Sequence, residues 1–235
     1  METGFLDRVV LGLPCVVYVP RDYDASRAWP VILALHGAGE RGSDGIRATQ
    51  IGIASAIRAE PERFPAIAVF PQAPAGERWL GGPAAAAILA LEQAIVEWNG
   101  DRERLYVTGL SMGGYGALHL ALAHPATFAA LVVVCGGLVP HATTEAVARS
   151  PLIPPDVEPY AFVASALRST PLWLFHGADD PVIPVEESRK LHGALAAGGV
   201  TRYTEYEGSG HNCWDRAYRE EGLAPWLFAQ RRVSR

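Results

Sequence analysis

Short apolar runs recur along the chain and alternate with segments of helical periodicity. Runs of this length and character predict buried strands. They lie at 15–19, 31–35, 66–70, 104–108, 130–134 and 172–176, and a last strand is predicted around RYTEYE at 202–207. The later runs are apolar on both faces, as in strands of a parallel sheet that helices cover on each side.

Helical patterns predict helices between and after these strands. The first begins just after Pro83. Its apolar stripe consists of Ile88, Leu91, Ile95 and Trp98. The second begins near Val185, has acidic residues in its first turn and buries Leu191 and Leu195. A last helix is predicted to cover much of 214–230.

Alternating strands and helices favour an α/β fold with a doubly wound, mostly parallel sheet and helices on both faces. We expect a single domain over residues 1–235. The strand at 15–19 is joined to the next strand by a loop without a helix, so we expect that it can pair antiparallel. Residues 136–169 are irregular and include PLIPP at 151–155. We interpret this segment, called the excursion below, as a small lid-like feature rather than a second domain.

Composition and charge restrict the classes of function. The chain has 235 residues, of which 49% are hydrophobic, and this is enough for one sizeable core. The net charge of -5 and the absence of a Lys- or Arg-rich run argue against a nucleic-acid partner. No stretch approaches the ~18 apolar residues of a membrane span, and the N-terminus does not resemble a secretory signal. We therefore expect a cytoplasmic protein.

One serine lies among glycines where a strand is predicted to give way to a helix. In GLSMGGYG at 109–116, the residues Gly109, Ser111 and Gly113 satisfy the pattern G-x-S-x-G. This pattern describes a sharp strand-to-helix turn that exposes a serine oxygen. The turn crowds the positions two before and two after the serine, so side chains there must be nearly absent. We predict that Ser111 is a nucleophile.

A serine hydroxyl needs a general base, and seven histidines are present. Ligands of an open parallel sheet bind beyond the carboxyl ends of the strands, so the base is expected after a strand end. His211 lies in GSGHNCWD at 208–215, after the last predicted strand, and is the candidate. The other histidines are expected at packing, surface, lid or loop-holding positions, and they are His36, His119, His124, His141, His176 and His192.

An acid that orients the histidine is expected in HGADDPVIP at 176–184, where Asp179 and Asp180 both follow a strand end. Either carboxylate could instead serve the N-terminus of the following helix. Asp180 precedes Pro181, which biases its backbone towards an extended conformation and away from that helix. An extended residue can project its carboxylate towards the neighbouring loop, so we favour Asp180.

The negative oxygen of a tetrahedral intermediate needs preorganised donors, which are usually backbone N–H groups. We expect one from Met112, the residue after the nucleophile, and one from LHGAGERG at 35–42, where Ala38 is favoured over Gly39. That loop lacks the G-x-x-x-x-G-K-[ST] pattern of a phosphate loop. The H-x-C pair of His211 and Cys213 is a weak signal for a metal. We expect neither a metal nor a cofactor.

Four motifs, LHGAGERG, GLSMGGYGAL, HGADDPVIPVEESRKL and GSGHNCWDRAY, together resemble the phospholipase/carboxylesterase branch of the α/β-hydrolases, over about residues 14–230. Esterases related to dienelactone hydrolase, feruloyl esterases and prolyl-oligopeptidase-type catalytic domains share parts of the pattern. The resemblance implies a serine esterase that acts without a cofactor through an acyl-enzyme. It also implies an acid at the fifth position of H-G-x-x-D-x-x-[VI]-P, which is Asp180. Dienelactone hydrolases use a cysteine nucleophile, and Ser111 departs from that pattern.

These observations predict a carboxylesterase for short-chain acyl or aryl esters, with a small-molecule ester as its partner. Trp79, Leu80 and Trp214 are expected to wall an apolar pocket, although such aromatics can equally belong to the rim or the core. Peptide or thioester cleavage is the alternative within the same chemistry. A catalytically silent binding protein is the alternative outside it.

Overall fold

The computed structural model describes residues 2–141, 147–198 and 200–232. The strands in these ranges form one sheet in the order β1-β2-β4-β3-β5-β6-β7-β8. They are β1 (Gly4–Val10), β2 (Leu13–Val19), β3 (Trp29–Leu35), β4 (Ile67–Pro71), β5 (Gly100–Leu110), β6 (Ala130–Val134), β7 (Leu172–Gly177) and β8 (Thr201–Tyr206). The strands β3 to β8 are parallel, whereas β2 pairs antiparallel with β1 and β4. The predicted sheet and the antiparallel pairing of 15–19 are confirmed.

The edge strand β1 is missing from the sequence-based prediction. It forms a hairpin with β2 through Leu11 and Gly12, whose φ angles are 50° and 78°. Two consecutive positive φ angles give a tight turn whose twist matches that of the flanking strands. Leucine rarely adopts a positive φ, so the presence of Leu11 gives no indication of this turn.

Helices cover both faces of the sheet, as predicted. They are α1 (Ile53–Ala59), α2 (Gly81–Glu97), α3 (Met112–Ala123), α4 (Pro159–Leu167), α5 (Glu186–Leu195), α6 (Trp214–Ala217) and α7 (Leu223–Ala229). One apolar core lies between the sheet and α2 to α5, and a second lies between the other face and α1, α6 and α7. Among the described residues, none of the helices has the length and apolar character needed to cross a bilayer.

The prediction of one helix over much of 214–230 is wrong, because the short helices α6 and α7 stand in its place. Pro225 lies in the first turn of α7, where a missing N–H is tolerated. Inside a longer helix the proline ring would clash with the carbonyl of the preceding turn. Between the two helices, Glu220 N–H bonds Ala217 O and Leu223 N–H bonds Glu220 O, as in turns.

The excursion is less irregular than predicted. Residues 142–146 of it lie outside the described residues, but its last part is the helix α4. Glu158 caps this helix by accepting a hydrogen bond from Ala161 N–H at 2.6 Å, and Pro159 is its first residue. Because α4 packs against α5, the excursion covers part of the face that carries α3 and α5.

The carboxyl ends of the parallel strands lie along one edge of the sheet, where a ligand site is expected. Leu35 at the end of β3 pairs in register with Gly109 near the end of β5. Gly177 at the end of β7 pairs in register with Tyr206 at the end of β8. The loops that follow these strands carry the four motifs, so the fold brings the motifs to one edge.

Candidate active site

Ser111 is the single residue between β5 and α3. Its φ of 53° and ψ of -120° lie where residues other than glycine are rarely found, so the backbone is strained. A Cβ on Gly109 would lie 2.0 Å from Gly113 O, and a Cβ on Gly113 would lie 2.0 Å from Leu35 O. Only glycine therefore fits at these two positions. The structure confirms the predicted strand-to-helix turn.

His211 reaches the serine from the loop that follows β8. Its Nε2 lies 3.0 Å from Ser111 Oγ, and its Nδ1 lies 2.7 Å from Asp180 Oδ2. Because a carboxylate oxygen only accepts hydrogen bonds, Nδ1 carries the proton and Nε2 presents a lone pair to the serine hydroxyl. An imidazole held in this way can take the hydroxyl proton, as a general base must.

Asp180 has a fully buried carboxylate with a donor on every side. Its Oδ1 accepts from Val182 N–H at 2.8 Å and from Ile183 N–H at 2.9 Å. Its Oδ2 accepts from His211 at 2.7 Å and lies 3.2 Å from His176 Nε2. Burial alone would raise the pKa of Asp180, but the two histidines and the two amides outweigh it and hold the pKa well below its usual range.

Asp179, the alternative acid, lies at the surface. Its backbone N–H donates to Ser209 O at 3.0 Å, which ties the aspartate loop to the histidine loop. Its carboxylate makes no hydrogen bond with any residue of the described ranges. Of the two aspartates, the structure brings Asp180 to His211.

The loop after β3 is held by the buried side chain of His36. Ala73 N–H donates to His36 Nε2 at 3.0 Å, so Nδ1 carries the proton and donates to Gly37 O at 2.6 Å. In a trans peptide the carbonyl and the following N–H point in opposite directions, so Ala38 N–H is turned away from His36. Gly37 also packs against Ser111, since a Cβ on this glycine would lie 3.5 Å from Ser111 Cβ.

The two amides predicted to bind an oxyanion both begin helical turns. Met112 is the first residue of α3, and Ala38 is the first residue of a 3₁₀ turn over Ala38–Glu40, which also contains the alternative donor Gly39. Neither the Met112 nor the Ala38 amide has an acceptor among the residues that the structure describes. The first N–H groups of a helix have no partner within it, so both amides are available to a bound acceptor.

Acid is expected to destabilise the protein through His36, because burial lowers the pKa of this histidine to about 4. In an unfolded chain the pKa of histidine is about 6.5, so between these values only the unfolded state binds the proton. The contribution to the free energy of unfolding is complete above about pH 6.5 and is lost as the pH falls towards 4. It amounts to about 3 kcal/mol.

Urea unfolding at pH 7 and at pH 4.5 measures this effect, with His36→Gln as the comparison. The variant lacks the titrating ring, so its free energy of unfolding should fall less between the two pH values than that of the wild type. An equal fall in both proteins would show that His36 does not contribute.

Trp79 and Leu80 line a small space beside Met112. The other residues that line this space are Arg78, Tyr115, Gly116, Val147 and Ala148. Trp79 is only 2% exposed, and its Nε1 donates to His36 O at 2.9 Å. The indole is therefore a core residue held in place, and one side of it forms the cavity wall.

Trp214 lies apart from this cavity. It is the first residue of α6, and its ring meets the His211 ring edge-on, with centroids 5.6 Å apart. It does not contribute to the cavity lining formed by the described residues. The structure thus places Trp79 and Leu80 together and Trp214 against His211.

The remaining histidines occupy other parts of the fold. His119 Nδ1 lies 2.8 Å from Ser150 Oγ, and His141 Nε2 lies 3.0 Å from Glu187 Oε1, so both tie the excursion to a helix. His176 lies beside Asp180. Within the described ranges, none of these rings contacts Ser111.

Sequence reasoning missed Glu187, which lies in the first turn of α5 but is buried. Its carboxylate accepts hydrogen bonds from Leu138 N–H at 2.7 Å and from Tyr160 OH at 2.6 Å. Glu187 therefore fixes the start of the excursion and α4 to α5. Its spacing of four residues from Leu191 places it on the buried stripe of α5, and this spacing is the signal that could have revealed it.

Cys135, Asp180 and His211 form the one group of possible metal ligands that the described residues bring within 4.8 Å of one another. Asp180 and His211 already bond each other. Burial raises the pKa of the Cys135 thiol well above its usual value, which disfavours the thiolate that binds metals. Cys213, from the predicted H-x-C pair, is not in this group. We assign no metal here.

Comparison with known proteins identifies relatives with the same architecture. The model of the prolyl oligopeptidase family matches residues 82–231. The crystal structure of a thermostable esterase is similar, with a TM-score of 0.82 and 31% sequence identity. The similarity covers 97% of this chain and 63% of that chain, so this chain spans less than two thirds of that esterase's length. Curated protein sequences give no significant match.

The chain also shares its fold with more distant structures, which include both esterases and peptidases. An acetyl xylan esterase from Aspergillus awamori has a TM-score of 0.70 at 16% identity, covering 95% of this chain and 99% of that chain. The acylaminoacyl peptidase of Pyrococcus horikoshii has a TM-score of 0.67 at 18% identity, covering 100% of this chain and 42% of that chain. These likenesses confirm the predicted α/β-hydrolase fold.

Proposed function

Because the chain belongs to the prolyl oligopeptidase family and is a serine hydrolase of the α/β-hydrolase fold, we propose that it hydrolyses carboxylic esters. Ser111 is the proposed nucleophile, His211 the general base and Asp180 the acid that orients the base. The observation that carries the proposal is the hydrogen-bond chain from Ser111 Oγ through His211 to Asp180, with distances of 3.0 and 2.7 Å.

In the proposed first half-reaction, Ser111 Oγ bonds to the acyl carbon while its proton passes to His211 Nε2. The carbonyl oxygen becomes negative and accepts hydrogen bonds from the Ala38 and Met112 amides. The C–O bond to the alcohol then breaks, and the alcohol leaves with the proton from His211. Water repeats these steps on the acyl-enzyme, which releases the acid and restores Ser111. Neither half-reaction requires a cofactor.

The cavity beside Met112 supports a preference for short acyl or aryl groups. It is small, and the Trp79 indole that forms its wall is held by its hydrogen bond to His36 O. Leu80 is half-buried at the start of α2 and completes the same wall. A long acyl chain would have to displace these side chains, whereas a short one would not.

We predict that kcat/KM for p-nitrophenyl esters peaks at acetate to butyrate and falls by at least about tenfold at octanoate. Each methylene that a small pocket rejects costs about 1–3 kcal/mol of discrimination. In Leu80→Ala the optimum should move to longer chains, because the wall loses most of one side chain. Initial rates across the ester series measure both effects.

Leu152→Ala is the matched control, since Leu152 is exposed on the excursion and does not line the cavity. Its chain-length profile should equal that of the wild type. A wild-type maximum at octanoate or beyond would show that the cavity does not hold the acyl group.

Peptide cleavage is the second candidate, because the structural relatives include an acylaminoacyl peptidase and the family is named for an oligopeptidase. Acetylated aminoacyl p-nitroanilides, compared with p-nitrophenyl acetate, separate the two activities. We expect ester hydrolysis to dominate. If the anilides gave the higher kcat/KM, the protein would be a peptidase with the same Ser111 chemistry.

A silent binding protein on this fold is tested by labelling. A fluorophosphonate probe reacts with an activated serine and should label Ser111 in the wild type.

The partner expected from the net charge of -5 and from the small cavity is a small-molecule ester and not a nucleic acid. A cytoplasmic location is part of the same proposal.

A further inference from the structure

Two histidines share Asp180 Oδ2. His211 Nδ1 lies 2.7 Å from this oxygen, and His176 Nε2 lies 3.2 Å from it. The side chains of His176 and Asp180 are fully buried, so bulk water does not compete for their contact. The proposed mechanism uses His211 as the general base and does not involve His176.

The contacts of His176 determine which ring nitrogen carries its proton. Its Nε2 faces two acceptors, Asp180 Oδ2 and Ile183 O at 2.9 Å, so this nitrogen carries a proton. Its Nδ1 lies 2.7 Å from Ser188 Oγ, a hydroxyl that can donate to it and hold this tautomer. Ser188 is 1% exposed and lies in the first turn of α5, so the network runs from a helix to the carboxylate.

We propose that His176 is a positioning residue that acts on the reaction through Asp180, with Ser188 as its own anchor. This inference rests on the proposed function of Ser111, His211 and Asp180. The N–H of His176 donates to Ile183 O and also lies 3.2 Å from Asp180 Oδ2, where its positive end stabilises the carboxylate charge electrostatically. It thereby limits how strongly Asp180 stabilises the imidazolium that forms on His211.

Other titratable groups also face these residues. They are Cys135 after β6, Cys213 on the loop of His211, Tyr115 on α3, and Glu205 on β8 in register with His176. Burial raises the pKa of Cys135 and of Tyr115. Hydrogen bonding to Arg189 lowers the pKa of Glu205 to about 2. Each of Cys135, Tyr115 and Glu205 therefore keeps one charge state over the pH range in which a histidine base titrates.

The first test measures kcat/KM against pH for two substitutions of His176. His176→Leu removes the donor, so the unshared carboxylate should stabilise the His211 imidazolium more. We expect the midpoint of the acid limb to rise by about half a pH unit or more, with about a tenfold loss at the optimum. His176→Gln keeps an amide N–H near Oδ2. It should restore most of kcat/KM at the optimum and bring the midpoint of the acid limb back towards that of the wild type.

Ser188→Ala keeps the proposal testable if His176→Leu fails to fold, because it removes only a hydroxyl. It should shift the acid limb in the same direction by a smaller amount, since His176 loses the partner that fixes its tautomer. His124→Gln, at the end of α3 and away from these contacts, is the control and should match the wild type.

The proposal is overturned if the folded variants lose activity by one factor at every pH with an unmoved acid limb, which a purely structural role would produce. It is also overturned if folded His176→Gln behaves as His176→Leu does. Failure of the proposed function would be seen separately, as ester hydrolysis that survives in Ser111→Ala.

Discussion

Replacing Ser111 by alanine is expected to lower kcat for p-nitrophenyl acetate by about 10⁶-fold, the loss found when a serine hydrolase loses its nucleophile. Alanine keeps the Cβ, so the strained backbone at φ 53° is unchanged and the variant should fold as the wild type does. His211 would then have no hydroxyl proton to accept, and no acyl-enzyme could form. The residual rate would come from binding and the backbone amides alone.

Steady-state rates and fluorophosphonate labelling measure this loss together. Ser26→Ala is the matched control, because Ser26 is an exposed serine in the loop before β3. It should keep full activity and full labelling. Retention of even a tenth of wild-type activity in Ser111→Ala, with a folded protein, would remove Ser111 as the nucleophile.

The central parallel strands and the serine turn could be predicted because their physical causes are local. A buried parallel strand needs an apolar side chain at nearly every position, and the runs at 130–134 and 172–176 show this directly. The turn at Ser111 needs glycine at Gly109 and Gly113, where a Cβ would strike backbone atoms. Such requirements restrict the residue type at particular positions, so they can be recognised from the sequence.

Other features depend on the tertiary structure and are therefore harder to predict from the sequence. The hairpin of β1 turns at Leu11, a residue that sequence statistics do not associate with positive φ, and the sheet supplies the stabilisation. The burial of Glu187 arises because Leu138 N–H and Tyr160 OH approach it from the excursion, and periodicity alone does not reveal partners distant in sequence. The break before α7 has, by contrast, a local cause, because Pro225 is tolerated in the first turn of a helix but not in its interior.

The role of His176 shows the same limit at the candidate site. From sequence, His176 is a histidine at a strand end that holds a loop, and its bond to Ile183 O agrees with that interpretation. Its contact with Asp180 Oδ2 depends on how the loop after β7 folds back. A sequence can therefore indicate which residues take part in a site, while the sharing of one oxygen needs the structure.

The choice between the two aspartates makes the last prediction. Asp180→Asn is expected to lower kcat by about 10⁴-fold, as in a serine protease with the same change. The asparagine oxygen can keep the bonds from Val182 N–H and Ile183 N–H. Its NH₂ group would then face His211 Nδ1 and favour the tautomer with the proton on Nε2, so the lone pair that faces Ser111 would be lost.

Asp179→Asn is the matched comparison, because it makes the same chemical change at the neighbouring exposed carboxylate. It should cost at most about tenfold, since a solvated charge outside the hydrogen-bond chain acts only weakly on the site. Values of kcat for p-nitrophenyl acetate, with thermal melts to confirm folding, give the ranking. If Asp179→Asn were the more damaging change, the acid would be Asp179. His211 would then have to leave its 2.7 Å contact with Asp180 during the reaction.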